Sequence, residues 1–132
     1  MSRQHRSFDP GAVALYLQDG GAAAAMDAGE GFWRDVGEGR IDLDRGWLAM
    51  ASEMTGDMGH WELHPEGEEL LVLLSGALDL VLETPQGEER VRLDADSPAF
   101  LMPRGTWHRI EVREPGRMLF VTYGRGTRHK PL

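Results

Sequence analysis

Residues 61–76 read Trp61-Glu62-Leu63-His64-Pro65-Glu66-Gly67-Glu68-Glu69-Leu70-Leu71-Val72-Leu73-Leu74-Ser75-Gly76. If Glu62 to His64 is extended, the two side chains share one face about 6.6 Å apart, because side chains alternate along a strand. Pro65 to Gly67 supplies a turn. The strand after it puts Glu69, Leu71 and Leu73 on one face and Leu70, Val72 and Leu74 on the other, and Gly76 ends it. A carboxylate is thereby delivered to the mouth of an apolar interior. Burying two carboxylates and an imidazole together is costly unless they share a partner. A metal ion is the partner these groups suit.

Outward from this stretch, the pattern stays two-residue periodic. Upstream, Trp47, Ala49 and Ala51 alternate with Leu48, Met50 and Ser52, and His60, Glu62 and His64 form a second alternating run. Downstream, Leu78, Leu80 and Leu82 oppose Asp79 and Glu83, Thr84-Pro85-Gln86-Gly87 is a turn, and Val91 and Leu93 alternate with Arg90 and Arg92. Ala99–Met102, His108–Val112 and Arg117–Tyr123 complete the set, with turns at Asp94–Pro98 and Glu114-Pro115-Gly116. Short strands at this spacing, punctuated by turn residues, indicate an all-β sandwich or barrel.

Two stretches together resemble the paired motifs of the cupin superfamily, in its small single-domain form. The first motif has two histidines one residue apart, a glutamate three or four residues on, and a glycine after six more; here His64, Glu69 and Gly76 keep that spacing. The second is Gly, five residues, Pro-x-Gly, two residues, His, three residues, Asn, and Pro103, Gly105 and His108 keep it. Glu62 stands in place of the first histidine, Ser97 of the opening glycine and Val112 of the closing asparagine. The resemblance spans roughly Thr55 to Tyr123. It implies a double-stranded β-helix, the cupin jelly-roll barrel, with His64, Glu69 and His108 as metal ligands. Such a two-histidine, one-carboxylate set is associated with open-sided non-haem iron sites.

Glu62 has three readings: a fourth ligand, a general base beside the ion, or a carboxylate that orients a ligand histidine. A second carboxylate would cancel the charge of a divalent ion and shift preference toward harder ions, so iron, manganese, nickel and zinc all stay in view. In the enzyme version the ion keeps a coordination position open, for oxygenation, isomerisation or lyase chemistry on a small organic molecule. In the alternative, the chain is a non-catalytic ligand-binding barrel, with or without metal. His60 reads as a rim residue or as a substitute for the missing histidine. Trp61 and Trp107 adjoin presumed ligands and so face away from them, as packing residues. Met50, Phe100 and Met102 line either pocket or core. Ser75 and Ser97 sit at turns without a histidine partner, and no glycine-rich loop precedes a helix, so nucleophilic catalysis and nucleotide binding are set aside.

Residues 1–45 read as an arm that packs on the barrel or on a partner subunit, residues 46–124 as the barrel and residues 125–132 as a basic tail with Arg125, Arg128, His129 and Lys130, either solvated or folded over the mouth toward an anionic substrate. Asp9-Pro10 suits a helix start and Gly20-Gly21 a stop, although a short strand also fits. Gly20 to Gly31 reads as an irregular connection, with a turn of helix after Asp27 leading into Phe32 and Trp33, which are too large to leave loose on a surface.

The chain has no cysteine, so nitrogen and oxygen donors must build any metal site. A formal charge of -8 without a basic run disfavours nucleic acid. No apolar stretch follows Arg3 and Arg6 and none is long enough to span a bilayer, so membrane association is not expected and the expected location is the cytoplasm. Leu70–Leu74 and Met118–Tyr123 are apolar on both faces and need cover on both sides. A homodimer is the expectation that follows.

Overall fold

The computed structural model, which describes residues 7–132, turns the alternation into two facing antiparallel sheets. The strands are β1 (Val13–Gln18), β2 (Ala23–Asp27), β3 (Gly46–Met54), β4 (His60–Leu63), β5 (Glu69–Leu73), β6 (Ala77–Thr84), β7 (Gly87–Leu93), β8 (Ala99–Met102), β9 (His108–Glu114), β10 (Gly116–Thr122) and β11 (Arg128–Pro131). One short helix, α1 (Phe32–Gly37), lies between β2 and β3. The first sheet runs β2-β1-β3-β10-β5-β8 and the second β11-β4-β9-β6-β7. No helix among the described residues is long and apolar enough to cross a membrane. The Arg3 and Arg6 positions lie outside the described residues.

Register decides which side chains meet. Across the first sheet, Ala25, Leu15, Ala49, Val121, Leu70 and Leu101 form one continuous cross-strand row. The adjacent row, Ala24, Tyr16, Leu48, Thr122, Glu69 and Met102, points to the opposite face. That second face is the inner one: Leu71, Leu73, Met102 and Met118 pack there against Leu78, Leu80, Leu82, Leu93 and Ile110 of the second sheet. Each buried leucine contributes roughly 1.5–3 kcal/mol by leaving water.

The second sheet alternates as its sequence requires, with the leucines of β6 inward and Asp79 outward. Asp79 is buried beneath Arg92 and Arg113, which both donate to its carboxylate, and Arg90 lies 3.7 Å away. The Arg92 hydrogen bond, with help from Arg113, holds its pKa below the ordinary carboxylate value despite burial. Arg90 and Arg109 do the same for Glu111, whose pKa falls to about 2. Arg90, Arg92, Arg109 and Arg113 on this face are thus paired with carboxylates.

The arm is built differently from the helical option. Asp9 accepts a hydrogen bond from the Gly11 amide in a tight turn, and β1 and β2 form a hairpin that extends the first sheet beyond β3. Gly20 and Gly21, at φ +83° and +89°, stop no helix but turn this hairpin, in a conformation that side chains disfavour. The Gly/Ala-rich stretch read as irregular contains β2; alanine is a weak strand former, and pairing with β1 overrides that preference. Asp27 ends β2 rather than beginning a helical turn, and α1 starts at Phe32 itself. Phe32 is buried against Ala14, Leu48 and Met50, whereas Trp33 remains 55% exposed, with its ring near Phe120. The basic tail is also a strand: β11 pairs with β4, because Arg128 and Lys130 lie on the tryptophan face of that sheet and His129 faces the other way.

Candidate metal centre

Four side chains from three strands and one turn converge between the sheets. Glu62 on β4 is directly opposite His108 on β9, so both project inward from the second sheet. Glu69 opens β5 in the inner row of the first sheet and faces them across the gap. His64 follows the end of β4, and its backbone oxygen accepts a hydrogen bond from the Gly105 amide at 2.8 Å. Gly105 sits at φ +73°, so the Pro-x-Gly turn ties the segment carrying His64 to the segment carrying His108. One donor atom from each of Glu62, His64, Glu69 and His108 lies within 4.8 Å of all the others.

The hydrogen bonds behind these ligating atoms fix their chemistry. Thr127 Oγ1 donates to the Gly124 carbonyl at 2.7 Å and must therefore accept from His64 Nδ1 at 2.8 Å. His108 Nδ1 donates to the Thr106 carbonyl at 2.9 Å. Both rings thus carry a proton on Nδ1 and present Nε2 to the site, the arrangement by which outer partners prepare ligand histidines. Thr122 donates to Glu69 Oε2 at 2.5 Å and holds that carboxylate in place.

The electrostatics of the cluster suit a cation. His64 Nε2 is buried and lies 2.9 Å from Glu62 Oε1 and 3.3 Å from Glu69 Oε2, yet it has no aligned hydrogen-bond partner. His108 Nε2 lies 3.4 Å from Glu69 Oε1. Burial disfavours the charged form of His64, but the two carboxylates outweigh it and raise its pKa to about 9. Burial likewise works against ionised Glu69, and His108, His64 and Thr122 together lower its pKa to about 2. Buried Glu69 and part-exposed Glu62 therefore place negative charge beside His64, which a cation between them would balance. The donor set, two imidazole nitrogens and two carboxylates with prepared lone pairs, fits a divalent ion.

Glu62 differs from the other three in being 23% exposed, at the open end of the site. His60 is exposed on the rim beside His129, with ring centroids 4.9 Å apart, and is not among the four. Trp61 and Trp107 face away from the site, as strand parity requires, beneath Arg109, Arg128 and Lys130. Phe100 and Met102 belong to the main core and Met50 to the cluster around Phe32. Ser75 Oγ accepts from the Arg117 amide and Ser97 lies in a turn closed by Asp94, so neither faces a histidine in a catalytic arrangement.

Thr122 and Thr127 are the residues that sequence reading missed; His129 was read only as part of the basic tail. Thr122 carried a signal: it shares parity with Met118 and Phe120, and is polar on a face otherwise apolar. Thr127 carried none, and neither did the pairing of His129 with Glu62, because both depend on β11 returning to the edge of the second sheet.

No family model and no curated protein sequence matches the chain. Solved structures do. A cupin-2 domain containing protein from Shewanella frigidimarina superposes with a TM-score of 0.50 at 16% identity, covering 62% of this chain and 72% of that one. An oxalate decarboxylase from Bacillus subtilis gives 0.50 at 18% identity, over 65% of this chain and 23% of that one. Peruvianin-I, described as a cysteine peptidase from Thevetia peruviana latex, gives 0.51 at 15% identity, over 65% of this chain and 55% of that one. The chain thus spans about half of peruvianin-I and under a quarter of the decarboxylase. It has no cysteine with which to support peptidase chemistry of that kind. At such identities the likeness establishes the fold, the cupin jelly roll.

Proposed function

We propose that this cupin-fold protein binds one divalent ion, iron, manganese, nickel or zinc, between Glu62, His64, Glu69 and His108 and acts on a small organic molecule. The observation that carries this is the convergence of four donor atoms around a buried His64 Nε2 that lacks an aligned hydrogen bond. The ion would supply Lewis acidity and an open coordination position for oxygenation, isomerisation or lyase chemistry. His64, Glu69 and His108 are buried and held from behind, so their task is to hold. Glu62 is the member that solvent and substrate reach, and its carboxylate can bind the ion or take a proton from the substrate.

One observation favours a second reading, a non-catalytic binding module. The space between the sheets beyond the site is packed with Leu71, Leu80, Leu82, Met102 and Ile110, so a ligand must approach from the Glu62 end. The two readings separate in one experiment: protein purified without chelators is assayed for metal by elemental mass spectrometry and challenged with a panel of small organic acids and phenols. Near-stoichiometric metal with turnover that disappears in Glu62→Gln is the expected result. Ligand-dependent thermal stabilisation without turnover supports the binder, and absence of metal even after manganese, iron, nickel or zinc is supplied overturns the metal centre.

The outer face of the first sheet supports a homodimer. Its cross-strand row from Ala25 to Leu101 is entirely apolar, with Leu70 37% and Leu101 54% exposed. A contiguous apolar face of this kind marks an interface. Light scattering at micromolar concentration is expected to give a dimer mass, and Leu70→Glu combined with Leu101→Glu a monomer mass. A wild-type monomer would remove the dimer.

A further inference from the structure

A second group of metal-ligating side chains lies just outside the first. Donor atoms of His60, Glu62 and His129 also lie within 4.8 Å of one another. Glu62 and His129 are directly opposite in the β4–β11 register, and His60 is two residues before Glu62 on the same face. On the other face of β11, Lys130 bonds Glu83 at 2.9 and 3.1 Å and sits 4.6 Å from the Trp107 ring, so His129 is turned toward Glu62. Glu62 offers a different oxygen to each neighbour: Oε1 is 2.9 Å from His64 Nε2, and Oε2 is 3.9 Å from His129 Nδ1.

We infer that His60, Glu62 and His129 form an outer site for a divalent transition cation at the mouth of the jelly roll, sharing the Glu62 carboxylate with the inner site. Two imidazoles and one carboxylate favour zinc, copper or nickel over calcium or magnesium, which prefer all-oxygen cages. His60 and His129 are exposed, so they can take an ion directly from solution without a buried charge being created on the way. Three protein donors leave further coordination positions to water or to a ligand arriving from the Glu62 end. A carboxylate with one oxygen toward each site is the bridge that paired metal centres use. The replacement of a first-motif histidine by Glu62 then acquires a purpose that a single-ion site does not require: a histidine ring in that place could not serve two ions through a pair of equivalent oxygens.

The test counts zinc equivalents bound by metal-free full-length protein in equilibrium dialysis with elemental analysis. Wild type, His60→Ala combined with His129→Ala, and His108→Ala are compared, with circular dichroism to verify folding. Two equivalents in wild type, one in the rim double variant and one in His108→Ala is the expected pattern. One equivalent in wild type that the rim variant loses and His108→Ala retains keeps the outer site and removes the inner one. If the rim variant binds as many equivalents as wild type, the outer site is overturned, whatever the inner site does. The single variants His60→Ala and His129→Gln, each at an exposed position, guard against a folding artefact in the pair.

Discussion

Replacing His108 with alanine is expected to weaken binding at the inner metal site by more than the roughly 100-fold that loss of an outer partner costs. His108 is buried, donates its Nδ1 proton to the Thr106 carbonyl and has only Nε2 left for the site, so no other atom of the ring can substitute. His64→Ala and Glu69→Ala should behave in the same way. Thr122→Val and Thr127→Val should lose about 10–100-fold, because they remove only the groups that aim Glu69 and His64. Glu62→Gln has a diagnostic value of its own: binding close to wild type assigns Glu62 a base or orienting role, and a loss like that of His108→Ala assigns it a ligand role. The measurement is competition of the purified variants against a chelator of known affinity, read by elemental mass spectrometry. Wild-type affinity at the inner site in His108→Ala would sink the four-donor site.

The second large effect is expected at two glycines outside the site. Gly76 ends the turn after β5 at φ +83°, and a Cβ there would stand 2.5 Å from the Glu114 carbonyl oxygen and 2.8 Å from that of Pro115. Gly116 begins β10, and its Cβ would stand 2.0 Å from the Ser75 carbonyl oxygen. The obstacles are backbone atoms, which have no rotamer by which to escape. Gly76→Ala combines an unfavourable backbone conformation, about 1–2 kcal/mol, with overpacking of about 1–3 kcal/mol, and should therefore lose about 2–5 kcal/mol. Against a total stability of about 5–15 kcal/mol, that is a large shift in the urea midpoint. Gly116→Ala should lose a similar amount through overpacking and displacement of the turn. Gly87→Ala is the contrast: φ is +111° but nothing lies within 4 Å of its Cβ, so only the conformational cost remains. Equal midpoints for Gly76→Ala and Gly87→Ala would show that the close backbone approach has no energetic weight.

These two cases divide what was legible from what was not. Glu62, His64 and Glu69 could be singled out from spacing because local chain geometry sets their direction, i, i+2 on an extended segment or the first residue of a strand with an alternating apolar face, whereas His108 entered through the resemblance to the second cupin motif. The glycine of the first motif was legible only as a strand end, since the Ser75–Gly116 approach joins residues far apart in sequence. The outward direction of Trp61 and Trp107 followed from parity alone. Thr127 could not be placed by parity, because its partner His64 is 63 residues away and reaches it only after β11 has docked.

The arm illustrates the same division from the side of propensity. Asp9-Pro10, Gly20-Gly21 and an alanine run carry weak local preferences, compatible with helix, strand or loop. Pairing with the edge of β3 selected the hairpin, since β3 otherwise exposes a row of backbone donors and acceptors along its outer side. α1 then covers the open inner face of that extension through Phe32.

The sequence by itself determined the all-β class and the turns that divide the strands between Gly46 and Tyr123, and the resemblance it carries picked out Glu62, His64, Glu69 and His108, which the fold brings together. The class and the turns rest on period-two alternation and short-range turn chemistry, which need no knowledge of distant neighbours. Only the tertiary structure decided that the arm extends the first sheet, that the basic tail is a strand, that Thr127 and Thr122 aim the donors, and that Glu62 lies between two pairs of histidines. Each of those depends on strand order and cross-strand register, and one residue of slip would turn every side chain involved to the opposite face.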